Sequence, residues 1–267
     1  MTEKPTHHRT LGRFIGIRHD DAENRRVIGL ESTKDEKGRS KATWTIIHNG
    51  LRSYNRTFKP VLGDRNLMQL LSEKTQSNDS STVLDIMASE IFVIEVVEKG
   101  FASGVAVSLG YPHDPFWDAQ HGKGVVNTVN GDITQTETWR QIERKKREIA
   151  PNGFDIIISR PEGGLQSKYL GDNPILLYLM LQKMWRLGSD DSTLLFQVPR
   201  RFVTEFEDYV EILQENGIEV QFPNRLKRIA IRAAGHPDNG GSKYGIPVRI
   251  QKQPNSPTWL PKPVHNT

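Results

Sequence analysis

From about residue 82 to residue 233, short apolar runs alternate with segments in which apolar residues recur at helical spacing. The apolar runs, rich in β-branched residues, predict strands at 82–87, 104–109, 125–129, 154–159, 193–198, 218–222 and 227–233. The segments between them predict helices at 90–99, 136–149, 173–187 and 204–216. Nearly continuous apolar strands that alternate with helices are typical of a mainly parallel sheet covered on both faces.

The last two predicted strands differ from the others, because only residues 223–226 connect them. A parallel crossover needs a longer connection, so the seventh strand is predicted to be antiparallel. The predicted fold class is therefore α/β, with a mainly parallel seven-stranded sheet, helices on both faces and an antiparallel last strand.

The two ends of the chain follow other patterns. Residues 26–31 and 42–48 predict two strands of a hairpin, Ser53–Phe58 predicts a third extended piece, and Leu67, Leu70 and Leu71 have helical spacing. After residue 234 prolines are frequent, and one further strand is predicted at Val248–Gln251. We therefore divide the chain into a β-rich extension (1–65), an α/β domain (66–234) and an irregular, Pro-rich tail (235–267).

Charge follows nearly the same division. The net charge of +4 combines +6 over residues 1–60, −9 over residues 61–224 and +7 over residues 225–267. An acidic middle excludes a uniformly basic nucleic-acid coat. The basic ends keep RNA or DNA open as a partner.

Composition excludes several kinds of site. The chain has no cysteine, which rules out disulfides, thiolate nucleophiles and Cys-ligated zinc or iron–sulfur centres. The polar N-terminus resembles no signal peptide, and no apolar run is long enough to span a membrane, so we expect a cytoplasmic protein without membrane contact. A metal is not expected, because the spacing of the nearest candidate cluster matches no standard site: His113, Asp114, Asp118 and His121.

The order of elements between residues 82 and 233, with the segment Asp85-Ile86-Met87-Ala88-Ser89, resembles the Rossmann-like class I S-adenosylmethionine-dependent methyltransferase fold. In that family the first strand ends in an acidic residue, followed by glycines at alternate positions. Asp85 matches the acid, whereas Met87 and Ser89 replace the first two glycines. The resemblance implies that Asp85 holds the amino-acid end of the cofactor and that Met87, Ala88 and Ser89 line its site. The residues alone equally allow Asp85 to close the strand or cap the next helix.

The second and third strands carry the other cofactor candidates. No acidic residue follows the second strand directly, so the family's ribose-binding carboxylate has no clear counterpart; Tyr111 either stacks on the adenine or packs in the core. The third strand leads into Gly131, Asp132 and Ile133. The resemblance implies that Asp132 accepts from the adenine amine beside apolar Ile133. The alternative is a turn in which Asp132 bonds its own backbone.

The fourth strand ends in Ser159-Arg160-Pro161-Glu162, followed by two glycines. In the resembling family this segment faces the methyl acceptor, which makes Ser159, Arg160 and Glu162 the candidate catalytic residues. Arg160 is suited to a carboxylate or phosphate, and Glu162 to a base. The alternative is a surface ion pair beside a loop.

The resemblance implies methyl transfer from S-adenosylmethionine, a small-molecule donor, to an anionic or nucleic-acid acceptor. Two other functions stay open. The missing glycines favour a catalytically silent interaction module, and the basic ends favour a nucleic-acid-binding protein. The basic run Arg140–Arg147 is either a solvated helix face or a phosphate-contacting surface.

Overall fold

The computed structural model describes residues 6–7, 14–20, 26–34, 40–47, 50–77, 80–86, 91–108, 120–121, 124–159, 174–224, 228 and 245–263. The strands in these ranges are β1 (Thr6–His7), β2 (Phe14–Asp20), β3 (Arg26–Lys34), β4 (Ser40–Ile47), β5 (Thr82–Ile86), β6 (Ser103–Ser108), β7 (Gln120–His121), β8 (Gly124–Asn130), β9 (Phe154–Ser159), β10 (Gly188–Pro199), β11 (Glu219–Gln221) and β12 (Gly245–Gln251). The helices are α1 (Leu51–Phe58), α2 (Leu67–Ser77), α3 (Ile91–Glu98), α4 (Thr136–Ile149), α5 (Pro174–Leu187) and α6 (Val203–Glu215).

The four N-terminal strands form their own antiparallel sheet, in the order β1-β2-β3-β4. β3 and β4 pair in register from Val27 opposite Ile47 to Lys34 opposite Ser40. The predicted hairpin in the N-terminal extension is therefore confirmed, and two further strands precede it.

The remaining strands form a second sheet, in the order β11-β12-β10-β9-β5-β6-β8-β7. Five neighbouring strands are parallel to one another, in the order β10, β9, β5, β6 and β8. β12 is antiparallel to both β10 and β11. The two-residue β7 pairs antiparallel with the edge of β8. The predicted fold class, a mainly parallel α/β sheet with an antiparallel last strand, is confirmed.

Two element predictions are wrong. Ser53–Phe58 belongs to helix α1, because Leu51, Tyr54 and Phe58 follow helical spacing and bury one face of that helix. The strand that pairs antiparallel with β10 is β12 rather than residues 227–233, of which only Arg228 is described, and it is helical. The further strand predicted at Val248–Gln251 is confirmed as β12, so a strand of the main sheet lies within the segment 235–267, which is otherwise predicted to be irregular. The three-part division as a whole stays a prediction.

Helices cover the main sheet on both faces. One apolar cluster joins the sheet to α4, α5 and α6, and a second joins it to α1, α2 and α3. Successive residues of β5 alternate between the two clusters, since Leu84 and Ile86 belong to the first and Val83 to the second. Each fully buried aliphatic or aromatic side chain contributes about 1.5–3 kcal/mol to folding.

Polar contacts fix α1 on the sheet. The carboxylate of Glu95, on α3, accepts a hydrogen bond from the backbone N–H of Leu51 and so caps the start of α1. A Cβ atom on Gly50 would lie 2.7 Å from Glu95 Oε2, so a larger residue there would require this carboxylate to shift. The hydroxyl of Tyr54 donates to Oδ2 of Asp85 over 2.7 Å, and both residues are buried.

The segment 252–263, here called the C-terminal strap, is docked between α5 and α6. Trp185 Nε1 donates to Pro257 O over 2.8 Å, and the side-chain amide of Gln182 makes two hydrogen bonds with the backbone of Leu260. The hydroxyl of Tyr209 donates to Pro261 O over 2.8 Å. The strap therefore contributes polar contacts to the fold as well as the buried side chain of Leu260.

Replacing Tyr54 by Phe should lower the free energy of unfolding by about 1.5–3 kcal/mol, because it removes a hydrogen bond to a buried carboxylate. The matched control is Tyr209→Phe, which removes a bond to a neutral backbone carbonyl and should cost about 0.5–1.5 kcal/mol. Urea denaturation of both variants measures the difference. Equal losses would show that the bond to Asp85 is no stronger than a neutral one.

Alkaline pH should weaken the packing of α5 on α6. Burial, followed by the charges of Glu205 and Asp208, raises the pKa of Tyr178 from 10.0 to about 12. The folded state thus favours the neutral phenol, so its contribution to stability is full below pH 10 and is lost as the pH rises towards 12. Urea denaturation at rising pH should show a smaller alkaline loss for Tyr178→Phe than for the wild type. An identical loss would contradict this contribution.

Candidate functional site

The parallel strands of the main sheet end at one edge, which we call the carboxyl edge. β5, β6, β8 and β9 reach it at Ile86, Ser108, Asn130 and Ser159. The strand order reverses at β5, since the chain continues to β6 on one side, whereas β9 lies on the other. In open α/β sheets such a reversal opens a crevice, and ligands bind there.

Asp85 lies one residue before the end of β5, with no exposed surface. Its carboxylate accepts from Tyr54, whose ring stacks on Phe92 at 4.1 Å between centroids. The side chain therefore has a structural contact from α1, as expected for an acid that closes a strand. Its position beside the strand reversal also agrees with the cofactor interpretation.

Ser159 ends β9 on the other side of the reversal. It is fully buried and lies in register with Ile86 of β5 and Phe196 of β10. Its hydroxyl has no hydrogen-bond partner within the ranges that the structure describes. Burying a hydroxyl without a partner costs about 1–3 kcal/mol, and such a cost is often retained where a polar group serves a ligand.

Asp132 and Ile133 follow β8, two strands from β5. Asp132 Oδ1 accepts from both the backbone N–H and the hydroxyl of Thr134, each over 2.8 Å. Trp139 Nε1 donates to Ile133 O over 2.6 Å and ties this turn to α4. The turn interpretation of Asp132 is therefore confirmed. The side chain stays partly exposed, and in the described part of the chain no hydrogen bond reaches Oδ2.

The other candidates lie outside the described residues: Met87, Ala88, Ser89, Tyr111, Arg160 and Glu162. The same holds for His113, Asp114 and Asp118. Within the described ranges no three His, Asp or Glu side chains come together as a metal site. Nor does any described helix have the length and hydropathy needed to cross a bilayer.

Sequence reasoning missed Tyr54, which contacts the buried acid of the central strand. The signal was present in the helical spacing of Leu51, Tyr54 and Phe58. Read as a strand, the same segment gives no reason to place Tyr54 beside Asp85.

Asp155, in contrast, serves the opposite edge of the sheet. Its Oδ2 accepts from the backbone N–H of Thr82 over 2.8 Å, and its Oδ1 accepts from the hydroxyl of Ser189 over 3.3 Å. These bonds join the amino ends of β5, β9 and β10. The acid of β9 is thus structural and lies away from the carboxyl edge.

Solved structures similar to this chain include several methyltransferases. MycE, a methyltransferase from the mycinamycin biosynthetic pathway crystallised with Mg and SAH, is 14% identical over 72% of this chain, with a TM-score of 0.37; the chain spans 52% of its length. An O-methyltransferase from Bacillus cereus in complex with SAH is 13% identical over 76% of this chain and 89% of its own, with a TM-score of 0.40.

Spermidine synthase from Thermotoga maritima is 9% identical over 91% of this chain and 73% of its own, with a TM-score of 0.40. No family model and no curated protein matches the chain. The fold assignment accordingly rests on the strand order of the chain itself, which has the antiparallel last strand that the methyltransferase resemblance implies.

Replacing Ser159 by Ala should leave the stability unchanged or raise it by up to about 1–3 kcal/mol, because it removes a buried hydroxyl without a partner. The control is Thr193→Val, on the neighbouring strand β10, which removes a 2.8 Å hydrogen bond to Gln251 Oε1 and should cost about 0.5–1.5 kcal/mol. Thermal and urea denaturation measure both. A clear loss of stability in Ser159→Ala would show that its hydroxyl is bonded in the folded protein.

Proposed function

We propose that the chain binds S-adenosylmethionine at the carboxyl edge of its main sheet and transfers the methyl group to an acceptor. The observation that carries this proposal is the reversal of strand order at β5, with buried Asp85 on one side and the unpartnered hydroxyl of Ser159 on the other. This is the position at which an open α/β sheet holds its ligand.

The described residues fit the cofactor in part. β5 and β8 are separated by two inter-strand spacings, about 10 Å, so a ligand of nucleoside size extends from Asp85 to Asp132. Asp85 would hold the amino-acid end, with Tyr54 fixing its carboxylate. Asp132 would offer Oδ2 to the adenine amine, next to the partly buried side chain of Ile133.

One element of the fit is missing. No described residue of β6 is an acid that could accept from the ribose hydroxyls, and Asp114, the next acid along the chain, lies outside the described residues. Charged hydrogen bonds of this kind contribute about 1.5–3 kcal/mol each. Because no acidic residue directly follows this strand in the sequence, we expect weaker cofactor binding than in a site that has one there.

The bound cofactor would supply a methyl group on a sulfonium, which is already a strong electrophile. The residues of the chain then have to align the acceptor with that methyl group and keep water out. We assign the acceptor side to Ser159 at the end of β9, with Arg160 and Glu162 following it. A guanidinium and a carboxylate at this place favour an anionic or nucleic-acid acceptor.

A second candidate function is a catalytically silent interaction module. It is favoured by the Tyr54 hydrogen bond, which gives Asp85 a purely structural use in the core. Binding of RNA or DNA through the basic segments 1–60 and 225–267, and a cytoplasmic location, remain predictions from the sequence.

Isothermal titration of the protein with S-adenosylmethionine tests the proposal directly. The wild type should bind, and Asp132→Asn should bind about 10- to 100-fold more weakly, because a charged hydrogen bond to the adenine amine becomes a neutral one. The matched control is Asp190→Asn, whose side chain is 85% exposed at the amino end of β10. This variant should bind as the wild type does.

The titration also separates the two candidate functions. Absence of heat and of any thermal shift at millimolar ligand would overturn cofactor binding and leave the silent module. Binding with equal affinity in both Asp variants would keep the cofactor but contradict the role of Asp132.

A further inference from the structure

Helices α4, α5 and α6 form one layer on the main sheet, with α5 in the middle. Lys183 of α5 lies over the ring of Trp139 of α4, with its Nζ 4.7 Å from the ring centroid. On its other side, Tyr178 of α5 meets the ring of Tyr209 of α6 edge-on at 4.8 Å. All three helices follow strands that end at the carboxyl edge, so they run in the same direction.

The outer surface of α5 is apolar. Leu179 is 51% exposed, Ile175 46% and Leu176 36%, and Trp259 of the adjoining C-terminal strap is 56% exposed. Among the described residues these are four of the five large hydrophobic side chains with such exposure. Single exposed apolar residues are ordinary, but a cluster of them marks an interaction surface.

Charges of opposite sign flank this apolar centre. α4 carries five basic and three acidic residues, so it is basic by two charges. Arg140, Arg144, Arg147 and Lys183 line a groove of about 590 Å³, which Glu137 and Glu143 also line. Glu137 pairs with Arg140 over 3.6 Å and with Arg144 over 3.4 Å. α6 carries five acidic residues and no basic one. All five acidic residues of α6 are exposed: Glu205, Glu207, Asp208, Glu211 and Glu215. Glu207 pairs with Arg228.

A surface with a basic side, an apolar centre and an acidic side is complementary to itself. A two-fold axis parallel to α5 would place α5 against α5 of a second copy. It would also place α4 of each copy against α6 of the other. We propose that this layer is a dimer interface and that its occupant is a second copy of this chain. The interface is isologous, and the apolar contact of Leu179 with its symmetry mate lies at the axis.

Other occupants match the surface less well. Leu176 and Leu179 are aliphatic, and one face of the exposed Trp259 ring is taken by the guanidinium of Arg186, 4.5 Å from the ring centroid. This leaves little on which bases can stack, and the carboxylates of α6 repel phosphate. A purely acidic protein would leave α6 without a counter-charge. A second copy satisfies the basic side, the acidic side and the apolar centre at the same time.

The size of the layer agrees with a modest dimer interface. Helices of 13 or 14 residues are about 20 Å long, and three neighbouring helices are about 25 Å wide. Such a face covers about 500 Å² in projection, less than the roughly 800 Å² per partner of a standard interface. We therefore expect reversible dimers rather than an obligate assembly.

Sedimentation velocity and light scattering over a wide range of protein concentration provide the first test. The wild type should approach twice its 30.4 kDa mass at high concentration. Leu179→Glu should raise the dissociation constant at least roughly tenfold, because two carboxylates would meet at the axis. Circular dichroism and thermal denaturation check that this exposed replacement leaves the fold intact.

Charge reversal on the two outer helices provides a sharper test. One variant carries Arg140→Glu with Arg144→Glu on α4, and another carries Asp208→Lys with Glu211→Lys on α6. Each should be monomeric alone, because like charges then face each other. Mixed together they should form a heterodimer, since reversed α4 of one meets reversed α6 of the other. The matched control is Arg52→Glu with Arg56→Glu, the same exposed i,i+4 pair on α1, which should dimerise as the wild type does.

The outcomes decide between the possible occupants. A wild type that stays monomeric at all concentrations overturns the proposal and assigns this surface to another partner or to a segment of the chain itself. A dimer that Leu179→Glu leaves intact, or reversed variants that fail to combine, places the interface elsewhere. Restoration of dimers only in the mixture supports the two-fold arrangement.

Discussion

The buried carboxylate of Asp85 constrains much of the chain around it. A carboxylate buried in the central strand of a sheet needs a hydrogen-bond donor. Asp85 has no exposed surface, so water cannot be that donor. Tyr54 supplies that donor from α1, which requires α1 to be a helix packed across the sheet. The contact between Glu95 and the start of α1, beside Gly50, then fixes the helix at the position where Tyr54 reaches Asp85.

The same strands carry different polar chemistry at their two edges. At the amino edge, the carboxylate of Asp155 is engaged by Thr82 and Ser189, and the strands are joined. At the carboxyl edge, the hydroxyl of Ser159 is buried without a described partner and one oxygen of Asp132 is unused. Polar groups that have hydrogen-bond partners within the protein stabilise its fold, whereas polar groups without such partners are available to bind a ligand. Within the described residues a buried hydroxyl without a partner also occurs at Ser192, near the amino end of β10. The candidate site is therefore located by the strand reversal at β5 together with Ser159.

Much of the main sheet could be predicted, because strands buried on both faces produce long apolar runs that few other elements share. The errors arose where two patterns fit the same residues. Ser53–Phe58 holds only two apolar residues, Tyr54 and Phe58, and their helical spacing becomes visible only when Leu51, just before the segment, is included.

The strand that pairs antiparallel with β10 begins at Gly245, three residues before the further strand predicted at Val248–Gln251, and Pro247 lies in the part that the prediction left out. Pro247 argues against a central strand, because it cannot donate to the ladder. In the structure β11 pairs only with residues 249–251 of β12, so Pro247 lies where β12 has β10 as its one described neighbour. The site was predictable only as far as the ends of the strands, since contacts such as Tyr54 with Asp85 depend on tertiary packing.

The proposed dimer interface on the helix layer and the proposed cofactor site at the carboxyl edge use different residues of the chain. The proposed dimer uses the surface of α4, α5 and α6 that faces away from the sheet, and the proposed cofactor site uses the edge at which those helices begin. A second copy would therefore leave the ends of β5, β8 and β9 accessible. Because neither surface needs residues of the other, the acidic charge of α6 is explained by association rather than by the cofactor. The negative middle of the chain then reflects, in part, one side of an interface whose positive side is α4.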